Sequence, residues 1–210
     1  MSAEPWKLTR EMFLDEDEVD SLLDFVAHRR AESPEKSVAA AGTDELLIQC
    51  LVYSGLRNSE FCGLQIKNAV FRGTKSLFQV RGTQRQDRDV HVPCFLGTTI
   101  ADYVKEIRPL LGAPKSEKAL ALNDRGRPFD RNSLYRRVVR ILKAAGLESR
   151  ASVQLLRHTY GYLGYKRSGG NLLFLKQQLG HAHPMVTSVY AEFVEEDYSQ
   201  LAHRVGGVAD

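Results

Sequence analysis

Three stretches of the chain carry residue types that could act together on a phosphodiester. Around Tyr53–Leu64 it reads YSGLRNSEFCGL, with Arg57 followed three residues later by Glu60. QLLRHTYGYLGYK holds Gln154, Arg157 and His158, and LGHAHPMVTSVYAEF holds His181, with Tyr190 nine residues further on. A planar guanidinium can hold two phosphate oxygens at once, which an ammonium does less well. A tyrosine hydroxyl, with a pKa near ~10, can attack phosphorus if it loses its proton as it does so. Taken singly, each residue has a plainer reading. Arg57 would be a helix-end cation or the partner of Glu60, and Tyr190 a packed aromatic. His181 and His183 could offer two metal ligands, but no third stands at a persuasive spacing, so no metal and no cofactor are expected.

These residues need a framework, and composition bounds it. At 210 residues, 43% hydrophobic and 26% charged, the chain suits one cored domain. No apolar run approaches the ~20 residues needed to cross a bilayer, so no membrane partner is expected. The acidic start lacks a signal-peptide pattern, and Cys50, Cys62 and Cys94 form no CxxC pair, which points to a reducing, cytoplasmic setting. Charge is segregated: residues 1–45 carry net −7, residues 46–191 net +14 and residues 192–210 net −4. A basic body suits a polyanion; solvated helix faces would look the same.

The expected fold is mainly α with a small antiparallel β-sheet (α+β). Acidic residues 15–18 precede Val19, Leu22, Leu23 and Val26, spaced for one apolar helix face. A polar stretch follows. Glu45–Tyr53 is apolar nearly all round and predicts a buried helix ending at Ser54-Gly55; RNSEFCGL predicts a short one. Leu77–Val80 and DVHVP flank a polar turn, the signature of a β-hairpin. Thr98–Leu111 predicts a helix, Leu120–Leu122 a short strand, and Leu134–Ala145 a helix closed by Gly146. Gln154–Lys166, Leu172–Leu179, Pro184–Phe193 and Glu195–Val205 complete a helical second half.

The three motifs, in this order and with a hairpin between the first two, resemble those of the tyrosine recombinases, the phage-integrase family. The resemblance runs from about Leu14 to Leu201. It implies a catalytic domain with its core at about 14–193 and a tail at 194–210, exchanged between protomers or packed on its own domain. It also implies that Tyr190 attacks a DNA phosphate, leaving a 3′-phosphotyrosyl link and a free 5′-hydroxyl. Arg57 and Arg157 would clamp the phosphate, with His181 adding a hydrogen bond, and no metal would be needed. The family's separate N-terminal DNA clamp is expected to be absent. Double-stranded DNA is the implied partner, with a homo-tetramer on DNA, possible accessory DNA-bending proteins and a nucleoid-associated location.

Two positions depart from the family. Gln154 stands where its box has histidine, and an amide cannot take up a proton. Proton removal from Tyr190 then falls to water, phosphate oxygen or another group; His158 is the histidine the family also carries after its arginine, not a shifted replacement. The hairpin lysine that protonates the leaving 5′-oxygen is also missing: Thr83 or Arg85 falls in its slot, and Lys75 reaches inward only if the first strand starts before Leu77. Both changes touch proton transfer, so a slow enzyme is expected, with a non-catalytic DNA-binding protein as the alternative. A relaxing activity without a specific site would share the chemistry. Arg81, Arg88, Arg136, Arg137, Arg140 and Lys143 are the candidate DNA contacts, the last four as one helix stripe.

Overall fold

The computed structural model describes residues 7–81, 87–181, 185–194, 202, 205 and 206. At its centre lies α2 (Glu35–Ser54), in which Leu46, Leu47, Ile48, Cys50, Leu51 and Val52 are all buried. An apolar surface on every side requires neighbours on every side. Here α1 (Glu16–Ala31), α4 (Phe95–Asp102), α5 (Arg131–Ala144) and α6 (Val153–Arg167) supply them. Each such aliphatic side chain contributes roughly 1.5–3 kcal/mol by leaving water. The helix begins ten residues before the apolar run that predicts it. Pro34 is already set for a helix start, its carbonyl accepts from Ser37 (2.8 Å) and Val38 (3.1 Å), and three alanines carry the turn forward. Gly55, at φ 59°, closes it.

The sheet has three strands, not two: β1 (Ala69–Arg72), β2 (Lys75–Val80) and β3 (Arg88–His91) pair antiparallel in that order. Phe78, Val80 and Val90 are buried and seat the sheet on the main core. The predicted strand at 120–122 is only a brief extended link, bridging Gln65–Ala119 and Leu122–Pro128 by one pair each. The predicted helix at 98–111 starts earlier, at Phe95, and passes through a π-helical turn (Tyr103–Ile107) into a 3₁₀ turn (Arg108–Leu111).

Two further helices complete the frame, α3 (Asn58–Cys62) and α7 (Leu172–Leu179), the latter capped by Asn171 and closed by Gly180 at φ 62°. The last described segment contains the single turn α8 (Met185–Ser188) and a 3₁₀ turn, Ala191–Phe193. The predicted helix at 195–205 lies largely outside the described residues. A smaller apolar cluster of Leu8, Phe13, Tyr165, Leu175, Leu179 and Tyr190 joins this segment to the N-terminal region. Phe13 stacks on Tyr162 at 4.5 Å between ring centroids and meets Phe193 edge-on at 5.0 Å.

Candidate active site

Two glycine-closed turns bring the predicted residues together. α2 ends at Gly55 and α7 at Gly180, and both turns expose backbone carbonyls toward α6. Arg157, on α6, is buried at 7% exposure and donates to Gly55 O and, at 2.6 Å, to Leu179 O. Arg57 precedes α3 and donates from its guanidinium to Gly180 O at 2.9 Å and to Glu60 Oε1 at 2.8 Å. The Arg57 backbone N–H reaches the other Glu60 oxygen at 2.8 Å. Carbonyl and carboxylate thus hold both guanidiniums at the same turn.

A third arginine joins them. Arg88, at the start of β3, donates to both oxygens of Glu60 (2.8 and 3.0 Å) and to Gln178 O at 3.2 Å. Sequence reasoning assigned Arg88 to DNA, but its side chain is 12% exposed and turned onto Glu60. Burial works against the Glu60 charge, yet the hydrogen bonds from Arg88 and from the Arg57 backbone outweigh it and hold the carboxyl at about 2. Burial, with the Arg57 charge beside it, pulls Arg157 down to about 10, so it remains a cation at neutral pH.

His181 follows Gly180. Its Nε2 lies 3.3 Å from an Arg157 nitrogen and its Nδ1 3.1 Å from Thr187 Oγ1. Arginine can only donate, so Nε2 accepts and the ring proton sits on Nδ1, pointing at the threonine. Burial and the charge of Arg157 bring its pKa to about 4, which keeps the ring neutral. To donate to a phosphate, His181 must gain a proton or change tautomer when the anion arrives.

Tyr190 is 2% exposed, and its hydroxyl lies 3.1 Å from His158 Nδ1. Its ring lies over Gly161, where a methyl group would overlap it. Burial pushes the phenol up to about 12, partly offset by Arg157. Gln154 is exposed, on the first turn of α6.

Other expected residues fall elsewhere. Lys75 does begin β2, two residues before Leu77, but it pairs with Arg72 at the far end of the strand. Val80, not Lys75, faces Arg88, so five residues, roughly 17 Å of strand, separate Lys75 from the clamp. Thr83, Arg85 and His183 lie outside the described residues. Arg81 is exposed and paired with Asp87 at 2.9 Å. In the stripe, Arg136, Arg140 and Lys143 are exposed. Arg137 is not: at 6% exposure it bonds to Asp44, to Asp124 Oδ2 at 2.6 Å and to Ala40 O at 2.9 Å. That buried ion pair fixes α5 to α2 and takes Arg137 out of any DNA-facing surface.

Nearly the whole chain, residues 12–196, matches the phage integrase family, and the chain belongs to it. Among curated relatives, tyrosine recombinase XerC of Halalkalibacterium halodurans is 30% identical over 189 residues, 88% of this chain and 58% of that protein. Tyrosine recombinase XerH of Helicobacter pylori is 25% identical over 191 residues, 90% of this chain and 50% of its own length. The chain therefore spans about half to three-fifths of these relatives. A solved XerH site-specific recombinase, bound to a palindromic difH substrate after cleavage, superposes with a TM-score of 0.73. It is 25% identical, and the match covers 91% of this chain and 52% of that one.

Proposed function

We propose that this chain is the strand-transferring part of a DNA site-specific recombinase. Arg57 and Arg157 hold the scissile phosphate of double-stranded DNA, and His181 donates to one of its oxygens. Tyr190 attacks phosphorus, giving a 3′-phosphotyrosyl link and releasing the 5′-hydroxyl. The carrying observation is the convergence of Arg57, Arg157 and His181 on the turns at Gly55 and Gly180, with Tyr190 docked one helical turn along α6. In the transition state, charge builds on the non-bridging oxygens, and two guanidiniums already held in place stabilise it. The named relatives and the recombinase solved on its DNA substrate support the same reading.

Exposed Arg136, Arg140 and Lys143 supply phosphate contacts outside the site, and several copies assemble on DNA. A second reading, a non-catalytic DNA-binding protein, is favoured by Gln154 and by the lack of any lysine between Lys75 and Lys105. Incubation with sheared genomic DNA from the source organism, followed by denaturation and recovery of protein-linked fragments, separates the two. Adducts that vanish in Tyr190→Phe support the enzyme. Salt-sensitive binding without adducts supports the alternative.

A further inference from the structure

An amide at Gln154 leaves the clamp without a proton acceptor at the place where the resembled family has one. One turn further along α6, the structure presents an imidazole to the nucleophile. His158 Nδ1 is 3.1 Å from the Tyr190 hydroxyl, and the rings meet at 50° with centroids 6.3 Å apart, which lets the hydroxyl lie near the imidazole edge. The contact is enforced by packing. His158 and Gly161 are three residues apart on one face of the helix, and the missing side chain at Gly161 is what lets the phenol ring approach.

We propose that His158 is the catalytic base of strand cleavage. As the Tyr190 oxygen bonds to phosphorus and the bond to the 5′-oxygen breaks, the phenolic proton passes to His158 Nδ1. The 5′-oxygen takes its proton from water. On rejoining, the 5′-hydroxyl attacks and loses its proton to water, the tyrosine leaves, and His158 returns the proton to it. The inference rests on Tyr190 being the nucleophile.

The surroundings suit this task. Burial and the adjacent Arg157 hold His158 below the ordinary histidine value, which favours the neutral ring that can take up the phenolic proton. Among the described residues, ionisable groups facing it include Arg157 on α6, His181 after α7 and Tyr190 itself. Arg157 also favours the phenolate that forms. A positioned base of this kind contributes about 10²–10⁴ in rate.

His158→Asn tests the inference, because its side-chain oxygen can still accept a hydrogen bond but takes up no proton. Adduct formation on sheared genomic DNA is followed from pH 5.5 to 9 for the wild-type chain, H158N and Tyr190→Phe, with thermal unfolding recorded for each. H158N is expected to be slower by about 10²-fold or more and to lose the acid limb of the pH profile, with unchanged DNA binding. H158Q replaces it if H158N has lost its unfolding transition. An oligonucleotide of the captured site carrying sulfur in place of the bridging 5′-oxygen gives the second readout. Sulfur leaves without a proton, so H158N is expected to stay slow on it. Wild-type speed on sulfur would assign His158 to the leaving group and overturn the inference. So would H158N cleavage within threefold of wild type at every pH. Absence of adducts with the wild-type chain overturns the parent reading, and this inference with it.

Discussion

The side chains of Arg57, Arg157 and His181 are tied to backbone carbonyls, a carboxylate and a threonine, whereas that of Tyr190 rests on ring packing and a hydrogen bond to His158. Of the proposed clamp groups, Arg57 follows α2 and Arg157 lies on α6, helices of the large core, while His181 follows α7, whose Leu175 and Leu179 belong to the smaller cluster. Tyr190, the proposed nucleophile, follows a single helical turn and belongs wholly to that smaller cluster. This division suits phosphoryl transfer. Charged groups must be preorganised, because reorganising them during the reaction would forfeit their stabilisation. A nucleophile that bonds to DNA and later releases it needs less constraint. At 2% exposure Tyr190 is also shielded from solvent.

Removing a single oxygen from the looser half should have the largest effect. Tyr190→Phe is expected to abolish adducts while changing DNA affinity less than about twofold. Losing the His158 bond should cost about 1 kcal/mol of stability in chemical denaturation. On the rigid side, Arg157→Lys should slow adduct formation by about 10²–10³-fold, since an ammonium cannot bridge Gly55 O, Leu179 O and a phosphate together. It should also destabilise the fold by roughly 1–3 kcal/mol, because buried carbonyls lose partners. A variant of Tyr190 that cost as much stability as Arg157→Lys would erase the contrast.

Gly161→Ala attacks the junction between the halves. The added methyl group overlaps the Tyr190 ring, so the phenol must leave His158. Adduct formation should drop about tenfold or more, with an overpacking cost of about 1–3 kcal/mol and DNA affinity preserved. Cleavage at the wild-type rate would mean that the docked tyrosine is not the reactive one.

Much of this arrangement was legible in the sequence, and the exceptions have physical causes. α7 matches its predicted bounds because Asn171 and Gly180 mark its ends chemically. The start of α2 was hidden because Ser, Ala and Gly between residues 37 and 42 have no apolar period. β1, at four residues, is too short to alternate visibly. Motif spacing singles out Arg57, Arg157, His181 and Tyr190, which the fold brings near one another, but only folding reveals that Glu60 gathers Arg88 as well as Arg57. Nor does spacing say that His158 faces Tyr190. For Arg137 a signal was present: it lies three residues after Leu134 and four before Ile141, on the apolar face of α5, where a solvated cation does not belong.

Acid should loosen the clamp before the rest. His181 has a folded pKa of about 4 against ~6.5 unfolded, so the unfolded chain binds its proton first as pH falls. Its stabilisation is full above pH ~6.5 and is lost progressively toward 4. Glu60, held at about 2 against ~4.3 unfolded, contributes above pH ~4.3 and fades toward 2. Thermal unfolding between pH 8 and 3 should therefore weaken in two stages, and His181→Asn should shrink only the upper one, to which His158, also held below the ordinary histidine value, contributes as well.

The smallest effects test the basic stripe, where one helix holds both kinds of arginine. Arg136, Arg140 and Lys143 are solvated, so replacing each with glutamine should leave stability within about 0.5 kcal/mol. As phosphate contacts, each should lower the slope of log affinity against log salt by about 1. Arg137 should behave oppositely. Arg137→Gln removes the only cation bonded directly to Asp44 among the described residues and leaves Arg29 at 3.9 Å, a loss of about 2–4 kcal/mol, with no change in salt slope where the protein is still folded. If the three exposed positions leave the slope untouched, this face of α5 is only a solvated surface, and the phosphate contacts must be sought elsewhere in residues 46–191.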